Sequence, residues 1–459
     1  MNPEFERNLW IEMTPRRVIM MPLVLGLIFF ATSSVSGNGL TEVSAIARNL
    51  FYIIVIIWGS RAAAGAVVNE LREHTWDGQR LSALSPSQML AGKLLGVTSF
   101  QWYGGLICLA LILVARFSAE GIAPALSELV YFLSIGLFAQ SAALFASLIA
   151  VRRRATQSRF DIFLFMVVGV VVGFAAAGLW DISYPTRLLS SGPDFGGPAD
   201  RIEWWGLHAP RHGFYLISLA LFLGWSLLGN LTLLRGELQV GTGPLPWLAF
   251  SLFLIAYCAG FADGFASEGT GLHTLRLTIA ISVAAGLTYV AVLLEPKNPV
   301  LYRWMLNELG RGRIDHVLGA LQGWMLSFVL LTGLVIYQAL TFTPPVREIL
   351  GFTDKLLPAL IAFYFFVARD IGLFLYFNLT PQQRRGDFAA VVTIGVLYLV
   401  LPTLLGGPLS KGIPFALPYP GDNILFAVVA PAAEAAVIWS LALARLRGLI
   451  EDKGRASKP

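Results

Sequence analysis

The stretch Glu70–Lys93, ELREHTWDGQRLSALSPSQMLAGK, is the longest strongly polar interruption in the first third of an otherwise very apolar chain. Continuous apolar runs flank it on both sides. If those runs are membrane helices, this segment must leave the hydrocarbon between them, because unpaired polar side chains are costly there.

The composition supports that premise. Hydrophobic residues make up 56% of the 459 residues and charged residues 13%. Soluble domains carry roughly 25% charge. A mean hydropathy of +0.68 points the same way. A helix needs about 20 apolar residues to cross a bilayer. Twelve such runs are expected, at 18–36, 45–69, 94–115, 126–151, 160–180, 213–233, 245–265, 274–294, 318–340, 357–377, 388–406 and 423–444. Their apolar character extends around all faces, so the expected fold class is an all-α polytopic membrane protein of about 12 transmembrane helices. The first run has basic residues before it, as a secretory signal does, but Glu4, Glu6 and Glu12 precede it and many similar runs follow. It is expected to be an uncleaved first span.

Most of the 33 lysines and arginines fall on one side of this topology. Arg7, Arg16 and Arg17 precede span 1, Arg72, Arg80 and Lys93 follow span 2, and Arg152, Arg153, Arg154 and Arg159 follow span 4. By the positive-inside rule both termini are cytoplasmic, as is Glu70–Lys93. The net charge of +5 is therefore a topological signal, and no nucleic-acid partner is expected.

Two short patterns recur. Asn2-Pro3 with Arg7 is echoed by Asn298-Pro299 with Arg303, and Leu84-Ser85-Pro86-Ser87-Gln88 by Leu379-Thr380-Pro381-Gln382-Gln383. In the second pattern Ser85 or Thr380 is an N-cap, proline takes the first helical position, and glutamine closes a capping box. The predicted organisation is a six-span unit over 1–240, two additional spans over 241–297, and a four-span degenerate second unit over 298–459 ending in a short cytoplasmic tail. The second unit has no counterpart of Glu70–Arg80.

Within the opening stretch Arg72 and Trp76, and Glu73 and Asp77, are four residues apart. A short interfacial helix would turn its charges to water and Trp76 to the headgroups. The series Glu70, Thr75-Trp76-Asp77, Arg80, Leu84-Ser85-Pro86 and Gly92-Lys93, together with Asn2-Pro3 and Arg7 ahead of span 1, resembles permease subunits of type-2 ABC exporters. It covers residues 1–240 well and 298–445 weakly. The resemblance implies that Glu70, Glu73, Thr75, Trp76, Asp77 and Arg80 couple to a separate ABC ATPase subunit. It also implies that the N-terminal segment is a connecting helix along the cytoplasmic face. The outer loop bearing Trp204 and Trp205 would be an external gate, and the location the cell (inner) membrane. Members of that family are usually six-span chains that dimerise. With about twelve spans, this chain is either an internal pseudo-dimer or a homodimer through its first half.

Five charges are expected inside or at the ends of spans: Arg61, Asp263, Arg369, Asp370 and Glu434. Such residues pair, snorkel, or line a wet path, and an Arg369–Glu434 pair is the simplest arrangement. An ion-coupled secondary transporter would instead need Asp263, Asp370 or Glu434 to titrate. A membrane anchor or assembly factor without transport activity is the third class. No catalytic constellation, cofactor fingerprint or Gly-x4-Gly-Lys-Ser/Thr phosphate loop is present, so neither catalysis nor a cofactor is expected on this chain, with ATP on the partner. His208 and His212 have a ligand-like spacing, but Pro210 between them disfavours a regular helix, and no metal is expected. The outer-loop tryptophans are expected to seat a short helix at the membrane surface. Cys108 and Cys258 lie in apolar runs and suggest no disulfide.

Overall fold

A computed structural model describes residues 2–35, 39–82, 84–152, 159–183, 201–265, 271–342, 355–379, 386–400 and 424–456. Apart from one two-stranded hairpin, the regular elements among them are helices, and eleven are long and apolar enough to span a bilayer. The chain is an all-α, multi-pass membrane protein. The expected span 388–406 begins as the apolar helix Gly386–Val400. Its continuation lies outside the described residues, as do Thr380–Gln383 of the repeated capping pattern, Arg153 and Arg154, and residues 184–200 of the outer loop.

Two compact units divide the chain. One comprises Met1–Ile202 with His208–Thr242, and the other Glu203–Leu207 with Gly243–Pro459. The spans at 245–265 and 274–294 share a hydrophobic core with the rest of the second unit.

In the first unit α1 (Pro3–Glu12) starts where Asn2 Oδ1 accepts the amides of Glu4 and Phe5, with proline at the first helical position. Its burial is inverted relative to a soluble helix. Glu4 and Asn8 are buried, while Trp10 and Ile11 are exposed. That inversion suits a helix lying in the membrane interface. After α2 (Pro15–Val35), the second span consists of α3 (Gly39–Phe51), a π-helical segment Tyr52–Trp58, and α4 (Gly59–Arg72). A wide turn leaves a carbonyl without its usual partner. Here Gln140 Nε2 donates to Val55 O at 3.0 Å, and Trp102 Nε1 donates to Gln140 Oε1 at 2.9 Å.

Next come α5 (Trp76–Arg80), α6 (Pro86–Ala91) and α7 (Ser99–Glu120). The capping box at Ser85 forms in both directions: Gln88 N donates to Ser85 Oγ, and Ser85 N to Gln88 Oε1. The helix so capped stops short of span 3. It is a separate short helix, followed by a π segment Gly92–Gly96 and a turn, and the span proper begins at Ser99. Helix α8 (Ile122–Arg152) buries Ile135, Ala139, Ala143, Leu144 and Leu148 along one face. On α9 (Arg159–Ser183), Gly169 and Gly173 let the backbones close up. A Cβ at Gly169 would sit 2.6 Å from Ala139 O, and one at Gly173 3.0 Å from Ala139 Cβ. Small residues four apart are a common way to bring membrane helices together. Helix α10 (Arg211–Glu237) completes the six spans.

The hairpin β1 (Arg201–Trp204) and β2 (Leu207–Pro210) turns at Trp205 and Gly206, both with positive φ. This is the two-residue turn whose twist matches paired strands. A strand pair therefore stands where a short surface helix was expected.

The second unit contains α11 (Leu245–Ala259), α12 (Ala262–Phe265), α13 (Leu272–Leu294), α14 (Pro299–Gly310), α15 (Ile314–Gly319), α16 (Gly323–Thr341), α17 (Leu356–Asn378), α18 (Gly386–Gly395) with a π segment Val396–Val400, and α19 (Ile424–Ala456). Its core runs through Ile281, Leu331, Val367, Ile371 and Phe374. Asn298 caps α14 as Asn2 caps α1, its side chain accepting from Val300 N at 2.9 Å. Burial pushes the Tyr302 phenol on α14 above its ordinary pKa, and its hydroxyl donates to Gln322 Oε1 at 2.7 Å.

Candidate functional site

The chain between α4 and α7 is held by one buried cation. Lys93 is fully buried, and its ammonium donates to Glu4 Oε1 at 2.9 Å, to Gln79 Oε1 at 2.7 Å and to Glu70 Oε2. Its three donors thus reach α1, α5 and the end of span 2. Gln79 Nε2 and Arg7 Nη2 both donate to Glu70 Oε1 at 2.6 Å. Asn8 Nδ2 links Glu4 Oε1 to the Gly92 carbonyl, and Asn2 Nδ2 donates to Gln88 O. Trp76, only 2% exposed, lies beneath the ammonium with its ring centroid 5.6 Å from Nζ. Glycine is needed at 92 because a Cβ there would lie 3.0 Å from the Glu4 backbone carbon.

The backbone leaving α4 explains how the loop doubles back. His74 has φ +57°, Thr75 N donates to Glu70 O, and His74 N donates to Leu71 O. These are the paired bonds of a Schellman ending, with histidine where glycine is usual. That break carries Glu73 and Asp77 onto different elements, so neither they nor Arg72 and Trp76 share one helix. The α5 turn presents Trp76 and Gln79 inward, while Arg72, Glu73, His74, Thr75, Asp77 and Gly78 face outward. Leu81 is 88% exposed. Arg80 is committed elsewhere: its Nε donates to Glu237 O at the end of α10, at 3.0 Å. A cation at a helix C-terminus is favourable there.

The expected coupling set therefore splits. Glu73, Thr75 and Asp77 are available at the surface. Glu70, Trp76 and Arg80 are structural, and Trp76 is buried rather than turned to headgroups. Proximity in sequence hid this division, since the partners Glu4, Arg7 and Glu237 lie far away in the chain. Glu4, Asn8 and Gln79 were not singled out beforehand. Glu4 and Asn8 stand four apart on α1, one face of a helix, and Gln79 carries no comparable signal.

The second unit holds a smaller related arrangement. Lys297 Nζ donates to Asp387 Oδ1 at 2.7 Å, and Asn378 Nδ2 donates to the same oxygen at 2.8 Å. Gly386 abuts Asn378, as Gly92 abuts Glu4. The glycine-plus-charge pair thus recurs with its sign reversed: Gly92-Lys93 in one unit, Gly386-Asp387 in the other.

Four of the five intramembrane charges are paired. Arg369 Nη1 donates to Glu434 Oε2 at 2.8 Å, and Nη2 lies 3.0 Å from Asp370 Oδ1. Tyr289 and Tyr398 hydroxyls donate to Asp370 Oδ2 at 2.7 and 3.0 Å. Asp263 accepts from Arg276 and from the Gly206 amide, both at 2.6 Å. The Trp204 and Trp205 indoles donate to Tyr257 O and Ala256 O, capping the end of α11. They serve as a helix cap within the second unit. His208 lies on β2, whereas His212 sits in α10 against the Trp180 ring. Arg61 lines a cavity beside α4.

The chain matches no family model, no curated protein and no solved structure.

Proposed function

We propose that this protein is the membrane-spanning permease subunit of an ATP-driven ABC exporter in the cell (inner) membrane, with both termini cytoplasmic, working with a separate ATPase subunit. One observation carries this reading. The exposed face formed by Glu73, Thr75, Asp77 and Leu81 is rigidly tied, through Lys93, to the interfacial helix α1 and to the ends of spans 2 and 3. A push on that face reaches three elements at once, because a buried ionic network has few alternative arrangements. A loop built only to connect two spans needs no such mounting.

An ion-coupled carrier is less well served. Asp263, Asp370 and Glu434 are each held by an arginine at 3.0 Å or less. The deciding experiment is co-purification of the full chain with an ATPase subunit, followed by charge reversal at Glu73 and Asp77. The double variant is expected to stay folded and to lose transport-linked ATP hydrolysis. Normal coupling in that variant would refute the assignment.

A further inference from the structure

A cavity of about 920 Å³ opens in the first unit at the end of α4 that leads into the Glu70–Lys93 segment. One face of the second span forms a wall, with Trp58, Arg61, Gly65, Asn69 and Arg72 recurring at three- and four-residue intervals. The start of α7 and the first turns of α9 supply the opposite side, including Phe100, Ile162, Phe163 and Met166. The volume falls in the range of pockets for small organic ligands, about 300–1,000 Å³.

Two polar groups in this wall are unmatched. Arg61 makes no hydrogen bond or ion pair with any described residue, although it stands eleven residues before Arg72, about 16 Å at 1.5 Å per residue. Gln101 is 3% exposed, and its Oε1 has no hydrogen-bond partner. Buried amides normally have partners, so an orphan one implies a ligand or water. The other charges largely cancel. Arg17 is paired with Glu12 at 2.7 Å and lies over the Phe100 ring, while Arg72 and Glu73 are opposite in sign. Arg61 is the uncompensated charge. Trp58 and Phe163 are 42% and 51% exposed, so the apolar side of the cavity is open to the surroundings of the helices.

We infer that this cavity binds an anionic amphipath of the membrane leaflet, with its phosphate-type group on Arg61, a headgroup hydroxyl donating to Gln101 Oε1, and its acyl chain along Phe100, Ile162, Phe163 and Met166. A guanidinium suits a phosphate oxygen pair. A free phosphate would leave the apolar wall and most of the volume unused. Snorkelling alone would leave Gln101 unmatched. Binding here needs no ATPase, so it stands or falls separately from the coupling assignment.

The test is native mass spectrometry of the full chain in detergent with dioctanoyl phosphatidylglycerol, dioctanoyl phosphatidylcholine or inorganic phosphate. The wild type is expected to bind phosphatidylglycerol at least tenfold more tightly than phosphatidylcholine. Arg61→Gln should remove that preference, while Arg235→Gln, an exposed arginine at the end of α10, should keep it. Met166→Trp, which fills the cavity without touching Arg61, should weaken binding tenfold and covers the case in which Arg61→Gln fails to fold. Equal affinity for both lipids, equal effects of the Arg61 and Arg235 variants, or undiminished binding by Met166→Trp would overturn the site. Competition by millimolar inorganic phosphate would show a free-anion site and would overturn the lipid assignment.

Discussion

Lys93 and Glu4 meet at 2.9 Å with both side chains buried, although 89 residues separate them in the chain. The contact fastens α1 to the entrance of span 3, and Glu70 extends it to the exit of span 2. Removing one member of such a pair costs more than the pair itself contributes, because the survivor stays charged in a poor solvent.

Lys93→Met is therefore expected to destabilise the protein by about 3–5 kcal/mol. Thermal unfolding in detergent measures this. Adding Glu4→Gln and Glu70→Gln to the same chain should recover part of the loss. Purely additive losses across the three sites would show that they do not act as a unit.

Gly92→Val tests the packing of α1 independently of charge. The new side chain meets Glu4 backbone that cannot rotate away, and overpacking of this kind costs about 1–3 kcal/mol. Limited proteolysis near residues 9–14 should speed up relative to wild type. Unchanged cleavage would mean that α1 does not depend on this contact.

The surface residues should behave oppositely. Glu73→Lys and Asp77→Lys are expected to shift stability by no more than about 0.5 kcal/mol, as exposed sites usually do. Glu70→Lys places a third cation against Lys93 and Arg7 and should abolish folding. Comparing melting temperatures of the three variants checks the split between inward and outward members of the loop.

In the second unit, Arg369→Met leaves Asp370 and Glu434 without their cation and should cost about 3–5 kcal/mol. The triple variant Arg369→Met, Asp370→Asn, Glu434→Gln should be nearer to wild type. A triple variant as unstable as the single one would place the cost in lost packing over Phe366 and Tyr398, where the guanidinium lies within 5.0 Å of both rings.

The sequence alone makes this a helical membrane protein, because apolar runs of about twenty residues have few other stable forms and each span satisfies its own backbone. It also determined local events governed by neighbouring residues. The Asn2 cap, the Ser85–Gln88 box and the exposure of Asp77 all follow from short-range chemistry. The Arg369–Glu434 pair was legible as well, since two charges deep in apolar spans must find each other or water.

Tertiary structure decided what each polar residue of the central loop does. Glu70, Glu73 and Asp77 are alike in chemistry and close in sequence, yet only Glu70 faces Lys93. The difference comes from the left-handed turn at His74, which reverses the chain, and from α1, which arrives from the N-terminus to complete the network. Trp204 and Trp205 follow the same rule. Their composition suggested a membrane belt, but the orphan carbonyls at the end of α11 bind their indoles more specifically than headgroups do. The cavity beside Arg61 was hidden for that reason too. Its walls come from helices far apart in the chain, from α1 to α9, and no local pattern records that Gln101 and Arg61 share an opening.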